Sequence, residues 1–145
     1  MRLWRGMWAR RSMGIESDGG FWLVLGLMVL LFPARVVAGI VLAALIHEAG
    51  HILALRVCGS KILCIRLHIG GARIAAAPMT SGQELVCILA GPAAGALTIF
   101  AWRTFPELAA AGLVQTVFNL LPLPQLDGGR ALRNICCKLR EFGVQ

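Results

Sequence analysis

The segment His47-Glu48-Ala49-Gly50-His51 interrupts an otherwise apolar run from Val36 to Leu55. That conjunction constrains the chain more than any other feature. On a helix, residues four apart lie on one face, so His47 and His51 present two imidazoles side by side with a carboxylate next to them. Two imidazoles on one face are a zinc-ligand pair, and the intervening glutamate is placed to activate water as a general base. Ionisable groups at membrane depth are costly and seldom kept without a function.

The rest of the chain supports a membrane setting. Hydrophobic residues make up 58% of the 145 positions, and mean hydropathy is +0.76, where soluble domains hold about 45–50% apolar residues. Charges avoid four stretches: Gly19–Ala34, Val36–Leu55, Leu85–Trp102 and Leu108–Leu126 contain none except Glu48. A bilayer crossing needs about 20 apolar residues. The last three stretches satisfy that requirement. The first is short, and reads as a tilted or partial span, or as half of a hairpin turning at Pro33-Ala34-Arg35. The expected fold is therefore an all-α polytopic membrane protein. It has about four transmembrane helices and a short β-hairpin at the membrane surface.

The net charge of +7 raises nucleic acid as a partner, but the positions of the cations answer it. Arg2, Arg5, Arg10 and Arg11 form one cluster. Arg56, Lys61, Arg66 and Arg73 form a second, and Arg130, Arg133, Lys138 and Arg140 a third; only Arg35 and Arg103 fall elsewhere. With four spans and a cytoplasmic N-terminus, all three clusters face the cytoplasm, as the positive-inside rule requires. No nucleic-acid partner is expected, because no reading helix or aromatic-interleaved basic patch accompanies the charge. The lipid bilayer is the expected environment, with both termini cytoplasmic. A secretory signal peptide is the rival reading of the N-terminus; the apolar pattern resumes at once after Arg35, which favours a retained span.

Cys58, Cys64, Cys87, Cys136 and Cys137 form no CxxC and no regular spacing, so reduced thiols are expected rather than a disulfide framework. Trp4, Trp8, Trp22 and Trp102 read as interface anchors. Residues 1–18 read as a basic leader, residues 19–132 as the intramembrane core, and residues 133–145 as a short cytoplasmic tail. Between the second and third spans, Ile65, Leu67 and Ile69 alternate with Arg66 and His68, and Gly70-Gly71 supplies a turn, the pattern of a hairpin. Ser81 with Glu84 three residues later is a capping box opening the third span. Gly91-Pro92 and then Pro122 and Pro124 predict bent or unwound backbone in spans three and four.

Of the seven acidic residues, Glu48 and Asp127 alone adjoin or enter membrane-depth segments. In an alternating topology His47, His51 and Asp127 come to the same side. Two imidazoles and one carboxylate leave an open position on a four-coordinate zinc, with Glu48 free to act as a base. Each residue has a plainer reading. Asp127 before Gly128-Gly129 is also an ordinary helix boundary, Asn119 also a polar residue bonding between helices, and His68 a surface strand residue.

Taken together, the motif His47-Glu48-Ala49-Gly50-His51, then Ala90-Gly91-Pro92, then Asn119-Leu120-Leu121-Pro122-Leu123-Pro124-Gln125-Leu126-Asp127-Gly128-Gly129 resembles the site-2 proteases, which are intramembrane zinc metalloproteases. The likeness runs from about Phe21 to Leu132 and is nearest to the bacterial sporulation type that processes an inactive sigma factor. It implies one zinc per chain held by His47, His51 and Asp127, with Glu48 as catalytic base. It also implies that Asn119 holds substrate or transition state. The hairpin with Gly70 and Gly71 would pair with an extended substrate. The implied substrate is a membrane-spanning or membrane-associated protein, cleaved near the cytoplasmic face of a bacterial plasma membrane. An inhibitory membrane partner would fit the type, and the oligomeric state is open. Two departures stand out. Gly95 occupies a position where many relatives carry Asn. Residues 128–145 leave no room for the further spans or regulatory domain of the sporulation enzyme, and no PDZ-like insertion is present. A non-catalytic relative therefore stays open as the alternative. A metal transporter would need more His or acidic residues along its spans.

Overall fold

The computed structural model describes residues 14–68 and 71–143. The cluster Arg2, Arg5, Arg10 and Arg11, with Trp4 and Trp8, lies outside the described residues, as does Gly70. Five helices and three strands follow in the order β1 (Gly14–Ser17), α1 (Gly19–Leu31), α2 (Ala34–Val57), β2 (Ile62–His68), β3 (Gly71–Ala76), α3 (Ser81–Leu97), α4 (Pro106–Asn119) and α5 (Asp127–Gly143).

Two of the helices are long and apolar enough to cross a membrane: α2, and α3 together with the 3-10 turn that prolongs it to Ala101. α1 has 13 residues and α4 has 14. At about 1.5 Å per residue each reaches only some 20 Å, short of a hydrocarbon core of about 30 Å. Of the about four spans expected, the first reads as short in the sequence and α1 is so; α4, expected to be full length, is short as well, and two long helices remain. Local chemistry explains the breaks. Asp18 caps α1, accepting from the Phe21 amide at 2.8 Å, and Pro33 separates α1 from α2. Pro106 begins α4 at a position where a missing amide proton costs nothing.

The outward faces of α1 and of the turn that prolongs α3 carry large apolar side chains: Leu30 is 81% and Phe100 84% exposed. Such surface suits lipid rather than water. Inward, helices meet at small residues. A β-carbon on Gly39 would lie 2.8 Å from the Glu107 backbone, and one on Gly50 would overlap the Ala90 carbonyl. These contacts set α2 between α3 and α4, with Ala43 and Ile88 fully enclosed. α3 stays helical through Pro92, so the unwinding expected there does not occur. The unwinding expected at Pro122 and Pro124 is present, where residues 120–126 after α4 are irregular.

The expected hairpin is present, with Arg66 opposite Arg73 and His68 opposite Gly71. It belongs to a three-stranded sheet, because β1 adds in parallel on the far side of β2. Like charges directly opposite repel, and Glu16 on β1 relieves this, pairing with Arg66 at 2.8 Å. Residues 14–17, expected within a leader, therefore belong to the folded unit. α5 likewise runs unbroken across residue 132, where the core was expected to give way to a tail. The capping box of α3 is Thr80 with Gln83, one residue before the pair expected from the sequence.

Candidate metal centre

His47 and His51 face α3 and the unwound end of α4 from α2. Asp127, first residue of α5, reaches the same point from 76 positions further along the chain than His51. Nε2 of His47 lies 3.1 Å from Oδ2 of Asp127 and 3.1 Å from Nε2 of His51; Nε2 of His51 lies 3.2 Å from the same Oδ2. The three atoms form a nearly equilateral triangle. Zinc bonds of about 2.0–2.1 Å in tetrahedral geometry require ligand atoms about 3.3 Å apart, so the triangle fits a divalent cation at its centre. His47 and Asp127 are buried and His51 nearly so.

The donor chemistry agrees. A carbonyl can only accept, so the 2.7 Å contact between His51 Nδ1 and the Cys87 carbonyl places the proton on Nδ1. Nε2 of the neutral ring then carries a lone pair directed into the triangle, the usual arrangement behind a metal-binding histidine. Arg130 approaches the other oxygen of Asp127, Oδ1, at 3.5 Å, which leaves Oδ2 for the cation. Asp127 heads α5, outside the spanning helices.

Glycines create the space. A β-carbon on Gly91 would overlap the imidazole of His51. One on Gly128 would overlap the Leu120 carbonyl, and one on Gly129 the Leu123 carbonyl, so the two glycines let α5 start against the unwound segment. Beside His47, Nδ1 is buried without a hydrogen-bond partner among the described residues. A β-carbon on Gly95 would lie 3.7 Å from that nitrogen. Gly95 is thus next to the second nitrogen of His47.

Of the residues singled out in the sequence, the structure brings His47, His51 and Asp127 together, and they are a group suited to hold a metal among the described residues. Glu48 interacts electrostatically with all three and with Arg130. The Asn119 amide Nδ2 is 3.4 Å from Nε2 of His47. Gly71 begins β3 with φ at 110°, a left-handed value, and takes part in the sheet rather than the metal triangle. His68 sits opposite it at the end of β2. Sequence reasoning missed the Cys87 carbonyl, the Gly91 clearance and Arg130. For Gly91 a signal existed: a Gly-Pro pair in the span after the histidine motif.

No family model and no curated protein matches the chain. Among solved structures it is similar to the site-2 protease from Methanocaldococcus jannaschii, at 28% sequence identity and a TM-score of 0.70. The alignment covers 89% of this chain and 70% of that one. That neighbour, the histidine–aspartate cluster and the two long apolar helices support a membrane-bound metalloprotease of the site-2 type.

Proposed function

We propose that the chain is an intramembrane zinc metalloendopeptidase with one zinc per chain held by His47, His51 and Asp127. The observation that carries this reading is the ligand triangle of 3.1–3.2 Å beside Glu48. When bound, zinc polarises the scissile carbonyl and makes water more acidic. Glu48 takes the proton from the attacking water as its oxygen bonds to the carbonyl carbon. It then delivers that proton to the amide nitrogen as the C–N bond breaks. Asn119 turns an N–H donor towards the reacting carbonyl oxygen. The Cys87 carbonyl keeps the His51 ring fixed throughout.

The substrate is a membrane-spanning or membrane-associated protein cleaved near the cytoplasmic face, with a pro-sigma or anti-sigma factor as the specific class. Peptide bonds in a helix are shielded, so the substrate must unwind. The outer edge of β3 has no strand beside it among the described residues, and an extended segment would pair there, starting at Gly71. Residues 120–126 provide irregular backbone at the site, where a helix would fill the space. In this reading the four helices α1–α4 are membrane-embedded in a bacterial plasma membrane, and the termini are cytoplasmic.

The test uses purified chain in detergent, with zinc content measured and cleavage followed on a labelled single-span peptide carrying Gly and Pro near its cytoplasmic end. Wild type should bind one zinc and cleave; Glu48→Gln should bind zinc and not cleave. Folded wild type without zinc, or cleavage that survives Glu48→Gln, overturns the reading.

A further inference from the structure

The buried and hydrogen-bonded contacts described for α5 lie in its first half, and Ile135, Lys138 and Leu139 border an open groove shared with Ser81, Gly82 and Leu85 of α3. Asp127 enters the metal centre, Ala131 is buried, and Asn134 bonds to Ser81 at 2.9 Å and to Glu84 at 3.0 Å. Extensive packing of α5 is against α3. Beyond Asn134 every described side chain, Ile135 to Arg140, is exposed. With 3.6 residues per turn, Ile135, Leu139, Leu132 and Cys136 fall in that order within an arc of about 100°. Lys138 borders that arc on one side, and Arg140 and Arg133 border it on the other.

An apolar arc bracketed by cations is the pattern of a helix lying in a membrane interface, its apolar face among acyl chains and its cations at the headgroups. Leu132 and Leu139, at 51% and 64% exposed, would otherwise meet water. Charge identifies the occupant: α5 carries Arg130, Arg133, Lys138 and Arg140 against Glu141 and the enclosed Asp127. Its first residue meets the ends of the embedded helices, so the helix starts at membrane level.

We propose that α5 docks on an anionic lipid surface through Leu132, Cys136 and Leu139 with Arg133, Lys138 and Arg140, and that this docking seats Asp127 beside His47 and His51. The seat matters because residues 120–126 impose no regular geometry and the side-chain hydrogen bonds that tie α5 to α3 among the described residues are those of Asn134. The docking half stands on α5 alone. The seating half rests on the metalloprotease reading, and the two have separate readouts.

Cys136 and Cys137 are adjacent and both exposed, yet they point about 100° apart, Cys136 into the apolar arc and Cys137 out of it. The full chain is placed in nanodiscs of phosphatidylcholine, with or without phosphatidylglycerol. Reaction with a water-soluble maleimide is then read at Cys136 in Cys137→Ser and at Cys137 in Cys136→Ser. With phosphatidylglycerol, Cys136 should react at least roughly tenfold more slowly than Cys137, and the triple variant R133Q/K138Q/R140Q should lose the protection. Wild-type zinc Kd should tighten roughly tenfold on adding phosphatidylglycerol, and that of the triple variant should not change. Equal reactivity of the two cysteines, or protection that survives the triple variant, overturns docking on anionic lipid. Protection that rises with the number of chains per disc assigns the arc to a second copy instead. A lipid-independent zinc Kd with Cys136 protected overturns the seating of Asp127.

Discussion

Gly91 on α3 lies directly beneath the imidazole of His51 on α2, so close that a β-carbon at 91 would overlap Nε2 and Cε1. The same turn of α3 supplies the Cys87 carbonyl that orients the ring. One helix thus both admits the ligand and aims it, and the site depends on a residue that never touches the cation.

Gly91→Ala should therefore lower zinc affinity without altering any ligand. Relief of the overlap requires His51 to move, which lengthens the 2.7 Å bond to Cys87 and spoils the triangle. Disturbing the partners of a ligand typically costs 10- to 100-fold in metal affinity. Competition with a zinc chelator, read by a fluorescent indicator, should show a loss of roughly that size. Wild-type affinity in Gly91→Ala would show that α3 yields to admit the methyl group.

The pair His47 and His51 was legible because i, i+4 histidines share a helix face, whereas Asp127 alone reads as a helix boundary, and its place in the cluster followed from the resemblance of the whole motif set. The strands at 62–68 and 71–76 were legible from alternation. β1 was not, since Gly14–Ser17 is four residues with one large apolar side chain, and its pairing with β2 is fixed by partners 50 positions away, such as Glu16 and Arg66. The capping box fell one residue off because Thr80-Gln83 and Ser81-Glu84 both satisfy the same spacing. In the structure Ser81 and Glu84 are taken up by Asn134 instead. α4 ends at Asn119, just before Pro122 and Pro124, the two residues from which unwound backbone in the fourth span is expected.

Asp127→Ala should remove most bound zinc from folded protein, because two imidazoles alone leave the cation short of a ligand. Asp127→Asn keeps the shape but loses the negative charge, and should retain zinc weakly. Metal analysis after gel filtration separates the three proteins. Full zinc occupancy in Asp127→Ala would mean that the carboxylate is a neighbour of the site rather than a ligand.

Asn134→Ala should loosen α5 from α3. The change removes the bonds to Ser81 and Glu84, a loss of about 1 kcal/mol at a partly exposed site. Because Asp127 heads the same helix, zinc affinity should fall several-fold while the midpoint for unfolding of the helical core stays nearly constant. A shift in the core midpoint with zinc affinity intact would place the latch in overall stability instead.

Gly95→Ala tests the packing beside His47. A β-carbon there would sit 2.6 Å from Oγ1 of Thr116, a buried hydroxyl already donating to the Pro92 carbonyl at 3.3 Å. Thr116 is β-branched and cannot swing aside freely, so the single substitution should destabilise by about 1–3 kcal/mol, the usual range for overpacking. Thr116→Ala removes the obstructing oxygen, and the double variant Gly95→Ala/Thr116→Ala should regain much of the loss. Thermal unfolding in detergent of the four proteins completes a double-mutant cycle. A coupling near zero would show that α3 and α4 adjust apart, and that closeness at this crossing does not fix the position of His47.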